Sequence, residues 1–303
     1  MGRKSASPAE ALESLLGSFE LTLRAQKKSP RTVTNYLAAA RLFAAYLGND
    51  RHVLSAKPDD VRAFIVDQLE RHSSSTAATR FRCLQQFYRW TVVEGFLAES
   101  PMDGQTPPAI DEKVVPVLSD DARKALVKAC DGKRFDDLRD RAIVLFMLDT
   151  GTRLSEVIGL EVGDVDAKGQ SALVRHGKGD RSRRVHFGAT TAVAIDRYDR
   201  ARRAHKWAKS PALWLGVRGP LTDSGLTQLL RRRGELAGID HIHPHMLRHT
   251  WSHLMKVDGM PDDELMAMGG WRTTQMLARY GSSATSERAK ATYDRNGAPG
   301  DRL

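Results

Sequence analysis

Apolar residues recur at helical spacing through the first third of the chain and give way to a mixed texture further on. SPRTVTNYLAAARLFAAYL is the clearest case. Val33, Tyr36, Leu37, Phe43 and Leu47 share one helical face, Pro30 sits at the first helical position, and Ser29 stands where an N-cap belongs. KPDDVRAFIVDQLERH opens with Pro58 and two acids, Asp59 and Asp60, which suit the positive end of a helix. SSSTAATRFRCLQQFYRWTVVEGFL begins in a run of cap-forming serines, Ser73 to Ser75, and ends near Gly95. With a first helix over about residues 8–25, the pattern predicts about four helices and no strand before residue 98.

Residues 99–115, ESPMDGQTPPAIDEKVV, have no periodicity and hold Pro101, Gly104, Pro107 and Pro108, the composition of a stiff, extended linker. Beyond it, Ser119 caps a helix. DDLRDRAIVLFMLDTG follows, with Ala142, Ile143, Leu145, Phe146 and Leu148 dense enough for a buried central helix. SALVRHGKGDRSRRVHF reads as a hairpin turning at Gly177 to Gly179, and PALWLG as a further strand. LTDSGLTQLLRRRGELAG and HPHMLRHTWSHLMKVDG read as helices ended by Gly238 and Gly259. The expected fold is therefore mainly α with a small β component: a helical bundle over 1–98, a linker over 99–115 and an α+β domain over 116–303.

Length and composition permit this. At 303 residues and 41% hydrophobic the chain can bury two cores. Lys and Arg (47) exceed Asp and Glu (37), for a net charge of +10, which favours a polyanionic partner, nucleic acid before a membrane surface. No run of eighteen apolar residues occurs, and MGRKSASPAEALESLL lacks the hydrophobic core of a signal peptide, so a cytoplasmic protein is expected. Cys83 and Cys130, far apart in helical segments, are expected as free buried thiols without redox or zinc chemistry. Arg80, Arg82 and Arg89 are candidates to meet a phosphate backbone, although arginines on a helix are commonly a solvated face.

Four segments carry unusual residue choices. In TGTRLSEVIGL, Arg153 follows a turn between two helices, and a plain pairing with Glu156 would explain it equally well. In HGKGDRSRR, Lys178 sits between glycines at a hairpin tip; this is a solvated basic turn or a lysine that reaches into a groove, and a Walker-type phosphate loop is excluded by its glycine spacing. In HMLRH, His245 and Arg248 stand three apart on one helical face and can address one anion. In GGWRTTQMLARYG, Trp271 and Tyr280 would lie on opposite faces of one uninterrupted helix, so a break near Thr273 or Thr274 is expected, with a threonine capping the helix that carries Tyr280.

The ordered set TGTRLSEV, GKGDRSRRV, HMLRHT and GGWRTTQMLARYG resembles the motifs of the tyrosine recombinases, the phage-integrase family, over roughly residues 117–285. The upstream helices resemble that family's core-binding domain, and a first helix starting near residue 8 leaves no room for the additional arm-binding domain of larger integrases. The resemblance implies Tyr280 as nucleophile, Arg153 and Arg248 as phosphate clamps and Lys178 as general acid, with His245 and Trp271 completing the site. Glu156 and His249 match flanking positions and are expected in support. Trp271 stands where many relatives have histidine. An indole N–H donates but cannot shuttle a proton, so packing and hydrogen bonding are its expected work. A phenol of pKa about 10 must pass its proton on, and His245 is the best-placed acceptor.

The implied activity is DNA strand exchange through a covalent phosphotyrosine, without metal or cofactor. The implied partners are double-stranded DNA, three further copies in a homotetramer on two recombination sites, and accessory DNA-bending proteins. An integrase of a phage or mobile element leads. An Xer-like chromosome or plasmid resolvase, a type IB topoisomerase and a catalytically dead DNA-binding protein are the alternatives. Tyr293 is the rival nucleophile, and the tail after Tyr280 is expected either as a short helix exchanged between protomers or as a frayed terminus.

Overall fold

A computed structural model of the chain describes its residues except 1–7, 49, 112–115, 176–181, 272, 275–276, 278–292 and 294–303. The chain forms two compact units, residues 1–113 and 114–303. In the first, the four expected helices are α1 (Pro8–Ala25), α2 (Pro30–Leu47), α3 (Pro58–Arg71) and α4 (Ser74–Val93). The serine caps act as expected: Ser29 and Ser73 side chains accept the backbone N–H of Thr32 and Thr76, each satisfying a donor the helix leaves over. The core is aromatic. Phe19, Phe43, Phe64, Phe81, Phe87 and Tyr88 are buried together, and the buried Tyr88 hydroxyl donates to the Val53 carbonyl at 2.8 Å.

Of the stretch read as a linker, residues up to Asp111 are fastened to these helices. Met102 is buried in the aromatic core, Gln105 Nε2 donates to the carbonyls of Pro101 and Pro58, and Asp111 exchanges hydrogen bonds with Ser74. One apolar anchor and three polar side chains hold a segment that shows no periodicity. Arg82 and Arg89 are exposed on α4, whereas Arg80 is half-buried and donates to Gln68.

The second unit is built on α6 (Phe135–Thr150), whose residues from Ala142 to Met147 are all buried. Before it comes α5 (Asp120–Lys128), capped by Ser119 as expected. After it come α7 (Leu154–Ile158) and an antiparallel sheet of β1 (Val165–Asp166), β2 (Ser171–Val174) and β3 (Arg183–His186), in which Ala172 pairs with Val185 and Val174 with Arg183. α8 (Ala189–Arg203), β4 (Leu215–Gly216) and β5 (Gly219–Pro220) follow, then α9 (Asp223–Leu236), α10 (Pro244–Val257) and α11 (Asp262–Gly269). The two arms of the expected hairpin pair as β2 and β3, its turn at Gly177 to Gly179 lies outside the described residues, and a strand forms in PALWLG at Leu215–Gly216. The sequence pattern did not single out α8 or α11. In α8 the stripe of buried apolar residues is narrow, and its last turn buries an arginine: Arg202 donates to the carbonyls of Ala208, Ser210, Ala212 and Leu213.

Helices α8 and α10 both pack on α6, and α11 on α10, where Lys256 pairs with Asp262 at 3.1 Å. A small separate core of Trp251, Leu265, Trp271 and Leu277 lies under this last junction. Cys83 and Cys130 are free and buried, as expected. Among the described residues no helix is long and apolar enough to cross a membrane.

Candidate active site

Helix α11 ends at Gly270, which takes the left-handed conformation at the C-cap and returns its N–H to the Met266 carbonyl; Trp271 N–H bonds the same oxygen. The carbonyls of the last turn are left over, as at any helix C-terminus, and this end of the helix carries partial negative charge. Three arginines from three different elements meet them. Arg183 Nε on β3 donates to Met268 O at 2.7 Å, Arg248 Nη2 on α10 to Gly269 O at 2.6 Å, and Arg153 Nη2 at the start of α7 to Gly270 O at 2.9 Å.

Arg248 is the most enclosed of the three, 1% exposed. Its Nη1 also donates to Gly151 O at 2.5 Å, and its guanidinium carbon lies 4.2 Å from the centroid of the Trp271 ring, a cation–π stack. Trp271 in turn stacks on Trp251 with centroids 5.9 Å apart. Two glycines permit this layering. At Gly151, in the left-handed region (φ 56°), a Cβ would run into the Trp251 indole; at Gly269 one would run into Trp271.

Arg153 N-caps α7 and pairs with Glu156 both ways, Nη1 to Oε1 and backbone N–H to Oε2, each at 2.8 Å. The plain reading of this pair is thus present, and the same guanidinium also reaches α11. Glu156 is shared. Arg183 grips it with a fork, Nη1 to Oε1 at 2.9 Å and Nη2 to Oε2 at 2.7 Å. Burial of the Glu156 carboxyl opposes its ionisation, but Arg183 first and Arg153 second outweigh that and hold its pKa at about 2.

His245 stands on the first turn of α10, exposed at the rim, one turn before Arg248. Desolvation, then the neighbouring His243, Arg248 and Arg153, hold its pKa below the ordinary histidine value. His249, half-buried one turn on, is lowered to about 4 by burial and then by His245, Arg248 and His243.

The structure therefore brings together Arg153, His245, Arg248 and Trp271 of the expected site, with Glu156 and His249 beside them. Lys178 and Tyr280 lie outside the described residues. The break expected near Thr273 or Thr274 is present: helix ends at Gly269, Trp271 and Thr273 are non-helical, Thr274 is helical again, and Leu277 N–H bonds the Thr273 carbonyl. Arg183 was not singled out in sequence. In RSRR the only available signal is parity: Arg183, Val185 and Phe187 point inward from β3 while Arg184 and His186 point out. Among the described residues no group of three or more His, Cys, Asp and Glu side chains converges on a point that could hold a metal ion.

A family model described as the phage integrase family matches residues 116–287, and one for the phage integrase N-terminal SAM-like domain matches residues 15–95. The chain belongs to the phage integrase family. One family relative, the tyrosine recombinase XerC of Mycobacterium sp. (strain JLS), is 32% identical over 301 residues, 93% of this chain and 98% of the relative. Among solved structures, the Tn1549 transposon integrase in complex with circular intermediate DNA shares the family fold with a TM-score of 0.75 at 18% identity, over 95% of this chain and 99% of that one. A lambda integrase tetramer bound to a Holliday junction does so with a TM-score of 0.69 at 14% identity, over 89% and 78%.

Proposed function

We propose that this chain is a site-specific recombinase that cuts and rejoins duplex DNA by transesterification. The observation that carries the reading is the convergence of Arg153 and Arg248 on the end of α11, with His245 beside both arginines, in a chain whose sequence then runs on to Tyr280. In this reading the Tyr280 phenol oxygen attacks a backbone phosphorus, a phosphotyrosine bond forms, and one P–O bond to a deoxyribose breaks. His245 accepts the phenol proton and Lys178 donates a proton to the departing oxygen. Charge builds on the nonbridging oxygens, and preorganised guanidiniums meet it without reorganising when it appears. One phosphodiester is exchanged for another, so the reverse attack by a new hydroxyl rejoins the strand without external energy.

The two units divide the work: the helical unit, with Arg82 and Arg89 outward, grips the duplex, and the second unit holds the chemistry. A homotetramer on two sites is the working assembly, by likeness to the lambda integrase tetramer. Within the family, the near-full-length likeness to XerC favours a resolvase of chromosomes or plasmids over the integrase of a mobile element.

The test uses nicked duplexes with a randomised core, captured covalently by wild type and separated on a denaturing gel. Wild type is expected to trap DNA and Tyr280→Phe to trap none. An adduct that persists in Tyr280→Phe would move the nucleophile to Tyr293, and no adduct with wild type would leave a DNA-binding protein. Exchange between two recovered sites, compared with relaxation of one supercoiled circle, separates a recombinase from a topoisomerase.

A further inference from the structure

Arg183 has no role in the reading above, yet its side chain makes three directed contacts. Its five donors sit in a rigid planar fork. Nη1 and Nη2 take the two oxygens of Glu156 at 2.9 and 2.7 Å, and Nε takes the Met268 carbonyl at 2.7 Å. The side chain is 12% exposed, so these bonds are made largely out of water. One residue thereby ties three elements: β3, which bears it; α7, through Glu156; and the last turn of α11.

We infer that Arg183 is a positioning residue of the recombinase site, which aims Arg153 by occupying one side of the carboxylate that Arg153 also needs. The inference rests on the transesterification reading. Glu156 offers two oxygens, about four lone-pair directions, and all four are used: two by the Arg183 fork, one by the Arg153 backbone N–H and one by Arg153 Nη1. While Arg183 holds its share, Arg153 is bound to Glu156 through a single Nη, and its Nη2 is directed to Gly270 O. Remove Arg183 and Glu156 becomes a buried carboxylate with one remaining cationic partner among the described residues. The cheapest repair is for Arg153 to turn its own fork onto Glu156, leaving Gly270 and the place where a phosphate would sit. The same loss releases Met268 O, so the end of α11 loses one of its three arginine anchors just ahead of the Tyr280 segment.

Arg183 does not touch the reacting atoms, so its removal should slow cleavage while leaving duplex affinity nearly unchanged. Misplacing a catalytic group by about 1 Å typically costs roughly 100-fold in rate. A structural role alone would give the same loss only through unfolding. The competition argument makes a further demand: taking the charge off Glu156 in the same molecule should free Arg153 again.

The experiment measures single-turnover adduct formation on a nicked duplex recovered with the wild type from a randomised library, beside duplex affinity and the melting temperature. Four proteins are compared: wild type, Arg183→Met, Arg183→Lys and the double variant Arg183→Met/Glu156→Gln. Arg183→Met is expected to cleave roughly 100-fold more slowly with less than about threefold change in affinity, and the double variant to regain about tenfold. Arg183→Lys keeps the charge but not the fork and should fall between Arg183→Met and wild type.

A wild-type rate in Arg183→Met overturns the inference. So does a double variant no faster than Arg183→Met, since Glu156 would then not be competing for Arg153. If Arg183→Met does not fold, the decision passes to Arg183→Lys: slow cleavage at wild-type affinity supports the inference, and a wild-type rate ends it. Failure of wild type itself to form an adduct overturns the transesterification reading, and with it this one, and is told apart by the first lane of the gel.

Discussion

The second unit holds two clusters of arginines that look alike in sequence and differ in charge. One surrounds Asp140, which is fully buried. Its Oδ1 accepts from Arg139 Nε and Nη2, and its Oδ2 from Arg232 Nη2 and Arg233 Nε. Arg139 also pairs with Asp136 and Arg233 with Asp137, so three guanidiniums face three carboxylates. The other cluster surrounds the end of α11. Among the described residues it sets three guanidiniums, Arg153, Arg183 and Arg248, against one carboxylate, Glu156. The three guanidiniums also donate to dipoles: the carbonyls of Met268, Gly269, Gly270 and Gly151. A balanced cluster has nothing left to offer a ligand. Carbonyls are dipoles and not charges, so guanidiniums bonded to them are suited to take a phosphate as a further partner. Position alone does not separate structural from functional arginines here; the identity of what holds them does.

The largest effect expected from breaking this contrast is on stability. Asp140→Ala leaves three arginines at a buried site without their common partner and should cost about 3–5 kcal/mol, read as a shift in the denaturant midpoint. The protein that remains folded should form adduct at the wild-type rate. Arg153→Ala should do the reverse. Losing one preorganised donor to the developing charge lowers the cleavage rate about 100- to 1000-fold, while the melting temperature moves little because Arg153 is partly exposed and Arg183 also pairs with Glu156. Should Asp140→Ala slow cleavage in the folded fraction, or Arg153→Ala unfold the protein, the two clusters would not be different in kind.

The same contrast marks what the sequence made legible. Elements that depend on local rules were readable: the Ser29, Ser73 and Ser119 caps, the apolar run of α6, and the glycines after α9 and α10. Four separated motifs in order single out Arg153, His245, Arg248 and Trp271, and the fold sets Arg153 and Arg248 on the end of α11 with His245 and Trp271 beside them. What long-range pairing decides was not readable. Nothing in DDLRDRAIV says that Asp140 rather than Asp136 is wholly buried, because that depends on Arg232 and Arg233 nearly a hundred residues later. Arg202 looks like one more charge on a solvated helix until the carbonyls of 208–213 close over it. Arg183 is hidden among neighbouring arginines for the same reason. α11 escaped because it is short and meets the three arginines through its last carbonyls, which no side-chain pattern displays.

A smaller effect should appear in acid. Glu156 has a folded-state pKa of about 2 against an ordinary 4.5. A carboxylate whose pKa is depressed by folding contributes stability that is fully present above its unfolded value and is lost as pH falls through the folded one. The contribution of Glu156 should therefore fade between about pH 4.5 and 2. Glu156→Gln should be less stable than wild type near neutral pH, and the gap should close across that window in acid titrations followed by circular dichroism. A gap that stays constant down to pH 2 would mean that the carboxylate is not held ionised by Arg153 and Arg183.

The smallest effect separates the two members of the stack over α11. Arg248 contributes charge and bonds to the carbonyls of Gly151 and Gly269, and Arg248→Ala should cost cleavage about 100- to 1000-fold, as for any preorganised donor at such a site. Trp271 contributes a ring 4.2 Å from that guanidinium and a second stack on Trp251. Phenylalanine keeps an aromatic face at the same place, with a weaker cation–π attraction, a difference on the order of 1 kcal/mol or less. Trp271→Phe should thus slow adduct formation by less than tenfold and leave duplex affinity unchanged. A loss as large as that of Arg248→Ala would show that the ring does more than orient the arginine, because the one group phenylalanine cannot supply is the indole N–H. The active role of this position would then be hydrogen bonding to the phosphate rather than support of the cation beneath it.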